Sequence, residues 1–161
     1  MAVERNSSEE TFRTRYEQDR PDAAPNAAKL VSWAKHRGLL LRPRAGETHD
    51  SLLCFLKLGA NEHKIFTLET NGLVWIVYKE LERRFPSTDV GQKAAFFTNL
   101  RERLQGVSGG RAAAGTQGGK ASWMVASTDI LALVTVLDWV IEELRHHHTE
   151  LLSSSSKRRK H

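Results

Sequence analysis

The chain has 161 residues, of which 40% are hydrophobic and 27% are charged, a composition typical of a soluble globular protein. No apolar run approaches the roughly 20 residues that cross a bilayer, and residues 1–6 lack the apolar segment of a secretory signal. The single cysteine, Cys54, excludes an internal disulfide and favours a reducing, cytoplasmic compartment. Its place in an apolar run favours a core position over a nucleophilic one.

The net charge of +5 is concentrated near the carboxyl end. Lys157, Arg158, Arg159 and Lys160 stand together there, and without these four cations 20 of the 24 basic residues remain against 19 acidic ones, a net charge of +1. A basic tail can hold phosphates through counterion release without a folded recognition surface. A solvated end that keeps the protein in solution explains the same residues equally well.

Residues 1–25 are polar and predict a partly disordered arm, in which Phe12 and Tyr16 share one side of a short helical turn. Asn26 is the expected N-cap of a helix that ends at Gly38. We therefore expect the folded domain to begin at residue 26.

Two strands are predicted next, over residues 39–43 and 51–58. Pro43 confines the first strand to an edge of the sheet, because proline cannot donate a ladder hydrogen bond. The second strand is apolar enough to be buried on both faces or to lie in the centre of the sheet.

A hairpin is predicted around Asn71-Gly72, the pair that favours a two-residue type I′ turn, since both positions adopt positive φ. This turn length places Leu68 opposite Trp75 and Phe66 opposite Val77, so that these four side chains form the buried face. The opposite face of the hairpin carries both apolar and polar side chains, and a second copy of the chain is an alternative partner for it. Its residues are Ile65, Thr67, Glu69, Val74, Ile76 and Tyr78.

The remaining elements alternate between helix and strand. Helical spacing is found in residues 91–105, a flexible glycine-rich loop in 106–120, a short strand in 123–126 and the strongest helix in 130–147. Residues 148–161 predict a disordered basic tail. The last helix is assigned to the sheet face that carries Trp75 and Val77.

These elements predict an α+β fold, in which an antiparallel meander of three to four strands has helices packed on one face. The order is α-β-β-β-β-α-β-α, within a single domain of residues 26–147.

One string of residues matches the metal site of PD-(D/E)XK nucleases, whose core has a similar order of elements. Asp50, Glu62 and Lys64 have the D-x11-E-x-K spacing. If the strands over 51–58 and 64–69 pair through a turn at Asn61, however, the two carboxylates lie ~25 Å apart. A shared divalent ion needs both within about 2.5 Å. A divergent nuclease with other ligands remains the main enzymatic alternative.

Other chemical signals are weaker. Residues 114–121 resemble a phosphate-binding loop but lack its first glycine and the Ser or Thr after Lys120. The run His146-His147-His148 does not converge on one metal ion, since consecutive helical residues point in different directions. We therefore predict no catalytic residue, no metal ligand and no cofactor, and the balance leans away from an enzyme.

A basic cluster with one aromatic residue is the main candidate binding patch. Trp33 lies off the apolar side of its helix, with Lys35, Arg37, Arg42 and Arg44 close to it in sequence. With the four tail cations, these are the predicted nucleic-acid-binding residues. The alternative explanation is a solvated helix end followed by an edge strand that uses charge to discourage aggregation. Trp75 and Trp139 are assigned to packing rather than to base stacking.

Four segments together resemble an uncharacterised bacterial α+β domain that occurs alone or appended to larger proteins, some of the restriction or defence type. They are a helix over 28–38, the hairpin Ile65-Phe66-Thr67-Leu68-Glu69-Thr70-Asn71-Gly72, Leu100-Arg101-Glu102-Arg103-Leu104 and Leu137-Asp138-Trp139-Val140-Ile141-Glu142-Glu143-Leu144. The resemblance covers residues 28–145 and departs from the pattern at 109–119. It implies an accessory role in a defence-like setting and carries over no catalytic residue.

The leading hypothesis from the sequence is therefore a non-catalytic binding or accessory module for DNA, RNA or a protein partner. The metal-dependent nuclease and a self-associating structural domain are the alternatives.

Overall fold

The computed structural model describes residues 8–108 and 120–159, which form an antiparallel sheet with helices, as the predicted α+β class requires. The helices are α1 (Glu9–Asp19), α2 (Ala24–His36), α3 (Tyr78–Arg83), α4 (Val90–Gln105) and α5 (Ile130–Arg159). The strands are β1 (Leu40–Arg44), β2 (Ser51–Leu58), β3 (Asn61–Glu69), β4 (Leu73–Val77) and β5 (Lys120–Met124). All five strands pair in chain order, so the meander has one strand more than its predicted upper limit.

Burial alternates along the strands and divides the sheet into two faces. The inner face packs against the helices and contributes Leu52, Cys54, Leu56, Ile65, Phe66, Leu68, Val74, Ile76, Ala121 and Trp123 to the core. The helices bury their apolar sides against it, among them Phe12 and Tyr16 of α1, Leu30 of α2, Leu100 of α4 and Leu133 of α5. We call the opposite side, which no described helix covers, the outer face.

The loop between β3 and β4 corrects the predicted hairpin. Thr67 pairs with Trp75 and Leu68 with Val74, one residue away from the predicted register. The loop consists of the three residues 70–72, since β3 ends at Glu69 and β4 begins at Leu73. It is closed by the Gly72 N–H, which donates to the Glu69 carbonyl at 3.0 Å, and within it only Gly72 has positive φ, at 92°. A shift of one residue reverses every side chain of a strand.

This reversal decides which side chains of β4 are buried. Val74 and Ile76 are 0% and 1% exposed in the core, while Trp75 and Val77 are half-buried on the outer face. The prediction that Trp75 and Val77 face the last helix was therefore wrong. The outward side assigned to Ile65, Val74, Ile76 and Tyr78 was also wrong, since all four are buried.

A bulge in β3 explains why its two consecutive residues Ile65 and Phe66 are both buried. Cys54 pairs with Phe66 and Phe55 with Lys64, so Ile65 is the extra residue. Before the bulge the odd-numbered positions face inward, and after it the even-numbered ones do. The prediction that Phe66 and Leu68 are buried is confirmed.

Both ends of the chain are more ordered than the sequence indicates. Helix α1 forms eleven residues with a Ser8 cap and docks through Phe12 and Tyr16, instead of belonging to a loose arm. Helix α5 continues to Arg159, where a disordered tail was predicted from residue 148. Helix α2 begins at Ala24, so Asn26 lies inside it and its amide Nδ2 donates to the Val125 carbonyl at 3.0 Å. Within the described residues, no helix has both the length and the hydropathy that a membrane crossing requires.

Candidate nucleic-acid interface

The helical half of the predicted basic cluster is occupied by internal contacts. The half-buried Trp33 donates from Nε1 to Asp138 Oδ1 at 2.9 Å, and Arg37 donates from Nε to the same oxygen at 2.6 Å. Lys35 pairs with Glu9 of α1. These contacts join α2 to α5 and to α1, so this part of the cluster contributes to packing of the helix layer.

The strand half of the cluster lies elsewhere, on the outer face of β1. Arg42 forms a pair with Glu62 of β3, and its hydrogen bonds hold the pKa of the Glu62 carboxyl below its ordinary value. The guanidinium Cζ also lies 5.1 Å from the centre of the Phe55 ring, in a cation–π arrangement. Arg44 is exposed and stands opposite Ser51. The sequence cluster is thus divided between two layers of the fold.

The outer face brings together side chains that are far apart in sequence. One row crosses all five strands as Arg42, Leu53, Thr67, Trp75 and Ser122. The next row begins with Leu40, Phe55 and Lys64. Phe55, Leu53 and Trp75 are half-buried, and Leu40 and Met124 are 36% and 41% exposed. The face therefore has an apolar and aromatic centre.

Cations outnumber carboxylates on this face, with Arg42, Arg44, Lys57 and Lys64 against Glu62 and Glu69. Arg44 and Lys64 form no ion pair with any residue that the structure describes. The rest of the chain without its tail is nearly neutral, so this excess gives the outer face a local positive bias.

A broad concavity of about 1150 Å³ borders the outer face beside the β1–β2 loop. Arg44 and Lys64 line it together with the hydroxyl-bearing residues Ser51 and Thr67. Two carboxylates, Glu47 and Glu69, also line the concavity, and Glu69 Oε2 lies 3.2 Å from His49 Nε2. Cationic groups and hydroxyls are the side chains that proteins use to contact phosphate.

The nuclease-like string does not form a metal site. Asp50 stands at the Ser51 end of β2, whereas Glu62 pairs with Lys57 near the other end, so about 23 Å separates them at the rise of a strand. Asp50 instead accepts from Arg15 Nη1 at 2.8 Å and from the Gly46 N–H at 3.2 Å. Among the described residues, no three His, Cys, Asp or Glu side chains are placed to share a metal ion.

The other predicted features have structural surroundings. Cys54 is fully buried, and burial raises the pKa of its thiol, as expected for a core position. In the histidine run, His147 packs against Phe85 with ring centres 5.1 Å apart. The phosphate-loop-like residues 114–119 and most of the glycine-rich loop lie outside the described residues. Of the tail cations, residues 157–159 belong to α5 and Lys160 lies outside the description.

His63 is a buried titratable group at the β2–β3 end of the inner face. It is 2% exposed, and its Nδ1 has no hydrogen-bond partner among the described residues. Burial lowers the pKa of this imidazole below its usual 6.5, and Arg84 and His148 lower it further. His63 is therefore held in its neutral form.

No family model, curated protein or solved structure matches the chain. The function therefore has to be argued from the surface itself.

Sequence reasoning missed Phe55, Lys64, Thr67 and Trp75 as members of one surface. For β2 the sequence does indicate the outward side, because Ser51 and Lys57 are its polar residues and both occupy odd-numbered positions, as Phe55 does. Trp75 had no such signal, because its side depends on the length of the loop before it.

Proposed function

We propose that this chain is a non-catalytic binding module for nucleic acid and that the outer face of its sheet is the binding surface. The observation that carries the proposal is the combination of excess cations with aromatic side chains on one sheet face that no described helix covers. Phosphates supply most of the affinity of such complexes, and aromatic rings add contacts to bases.

The location of the cations supports this surface over the helix layer. Lys35 and Arg37 are paired with carboxylates, so binding phosphate would require these pairs to break. Arg44 and Lys64 face the concavity without an ion pair to a described residue. The resemblance to the bacterial domain adds a setting to the proposal, an accessory role in a defence system.

The test is fluorescence anisotropy with labelled DNA and RNA at low and moderate salt. We expect binding that weakens as salt rises, because each phosphate contact releases counterions. Lys64→Glu should weaken binding about tenfold or more and lower the salt slope by about 1. The matched control is Lys29→Glu on the exposed side of α2, which reverses an equal charge away from the outer face.

Two results would contradict the proposal. One is the absence of binding to either nucleic acid at low salt. The other is an equal effect of the Lys29 and Lys64 reversals, which would mean that only total charge matters.

A further inference from the structure

The aromatic rings of the outer face are spaced across the middle of the sheet rather than stacked on each other. Phe55 is on β2 and Trp75 on β4, with Thr67 of β3 paired to both Leu53 and Trp75. Two strand spacings and two residues along the strand put the two positions about 12 Å apart. The two rings are therefore too far apart to stack on each other.

We infer that this face binds single-stranded rather than double-stranded nucleic acid, with a base stacked on the Phe55–Arg42 pair and the backbone held by Arg44 and Lys64. This inference rests on the proposed function and specifies its ligand. Aromatic rings on a sheet offer π-faces to bases that are unpaired and splayed out.

A duplex fits the same surface poorly. Its bases are stacked on one another, and their edges are reached by a helix or a two-stranded ribbon that enters a groove. On the outer face, no described helix projects from the sheet, and the apolar centre of Leu53 and Phe55 is set among its strands. A duplex would contact the cations and leave this centre without a partner.

The groups around Phe55 suit one nucleotide. Lys64 is directly opposite Phe55 on β3, and the guanidinium of Arg42 lies over the ring. Because Glu62 engages Arg42 and the guanidinium already lies over the Phe55 ring, a base at this position would stack on the planar guanidinium, with the ring supporting it from below. Arg44 and Lys64 line the adjacent concavity, into which the backbone would continue. Glu47 and Glu69 also line that concavity, and each opposes a phosphate placed next to it.

The experiment compares the full chain bound to a labelled single-stranded oligothymidine and to a duplex of equal length and label. We expect the single strand to bind about tenfold or more tightly. Phe55→Leu keeps an apolar side chain but removes the ring, and it should weaken single-strand binding about tenfold. Phe55→Tyr keeps the ring and should retain binding to within about twofold. Circular dichroism and urea unfolding of both variants establish that the fold is retained.

The outcomes separate this inference from the proposed function. Equal affinity for single strand and duplex, with no effect of Phe55→Leu, would overturn the inference while the salt-dependent binding of the module stands. A single-strand preference that survives Phe55→Leu would overturn the assignment of base stacking to the Phe55–Arg42 pair. A lack of binding to both ligands at low salt would refute the proposed function itself.

Discussion

Two valines on the same strand provide a direct test of which side of β4 faces the helices. Val74 is 0% exposed in the core, and Val77 is half-buried on the outer face. Replacing either with alanine removes two methyl groups and changes strand propensity by the same amount. The difference between Val74→Ala and Val77→Ala therefore isolates the environment of the two side chains.

The expected magnitudes follow from burial. Two fully buried methyl groups contribute about 1.6 kcal/mol of transfer free energy, and the cavity left behind raises the cost of Val74→Ala to about 2–3 kcal/mol. Val77→Ala should cost less than about 1 kcal/mol, because its side chain already contacts solvent. For a chain of this length, a difference of about 1–2 kcal/mol corresponds to about 2–8 °C in Tm.

Urea unfolding followed by tryptophan fluorescence measures both variants. A cost for Val77→Ala equal to or larger than that for Val74→Ala would refute the register, since it would place Val77 inside. The two-residue Asn-Gly turn predicts that reversed ranking.

Three further substitutions test contacts of the fold. Gly72→Ala should destabilise the protein by about 1–2 kcal/mol, because alanine resists positive φ and its Cβ would lie 3.0 Å from the Arg20 side chain. In the control Gly38→Ala the new Cβ has no described atom within 4 Å, so only the backbone strain remains, and equal losses in urea unfolding would contradict the Arg20 contact. Asp138→Ala should cost about 1–2 kcal/mol, because it leaves the Trp33 indole N–H without its acceptor, and Asp138→Asn should cost less because an acceptor oxygen remains. Equal unfolding free energies for the two variants would be evidence against this hydrogen bond. The free energy of unfolding should fall as pH drops below 6.5, because His63 takes up a proton more readily in the unfolded chain than in the folded one. The slope of that free energy against pH should be smaller in His63→Gln across pH 5–7, and an unchanged slope would show that other groups cause it.

Much of the framework could be predicted because it depends on local signals. Helix α4 begins at the capping Asp89 and buries Phe97 and Leu100, in agreement with its spacing. Strand β2 has its predicted bounds, and β1 is an edge strand as Pro43 requires. These features depend on neighbouring residues, whose side chains determine capping and periodicity.

The hairpin could not be predicted because distant contacts set its loop length. The Thr70 N–H donates to the Asp50 carbonyl at 2.9 Å, and the Thr70 hydroxyl accepts from the Asp50 N–H at the same distance. Thr70 is thereby held against the start of β2. Asn71 Oδ1 accepts from the Leu73 N–H at 3.1 Å, so its side chain closes the turn with negative backbone φ. A local Asn-Gly preference does not contain this information.

The candidate site was only partly predictable for a related reason. Arg42 and Arg44 were identified, but Trp33 and Arg37 share the Asp138 carboxylate of α5, about a hundred residues away in the chain. Charge and hydropathy describe single residues and do not show which of them will find a partner. The sheet register supplies that information, because it determines which cations share a face.

The two irregularities of β3 together determine the chemistry of both sheet faces. The bulge at Ile65 lets two consecutive residues enter the core, so the strand changes its inward parity from His63 to Phe66 without losing apolar burial. The three-residue loop then carries the changed parity into β4, which buries Val74 and turns Trp75 outward. With the bulge but a two-residue loop, Trp75 would join the core, and Val74 and Ile76 would face outward in its place. The same hairpin therefore builds the core and supplies an aromatic residue to the outer face, which makes loop length a determinant of the proposed binding surface.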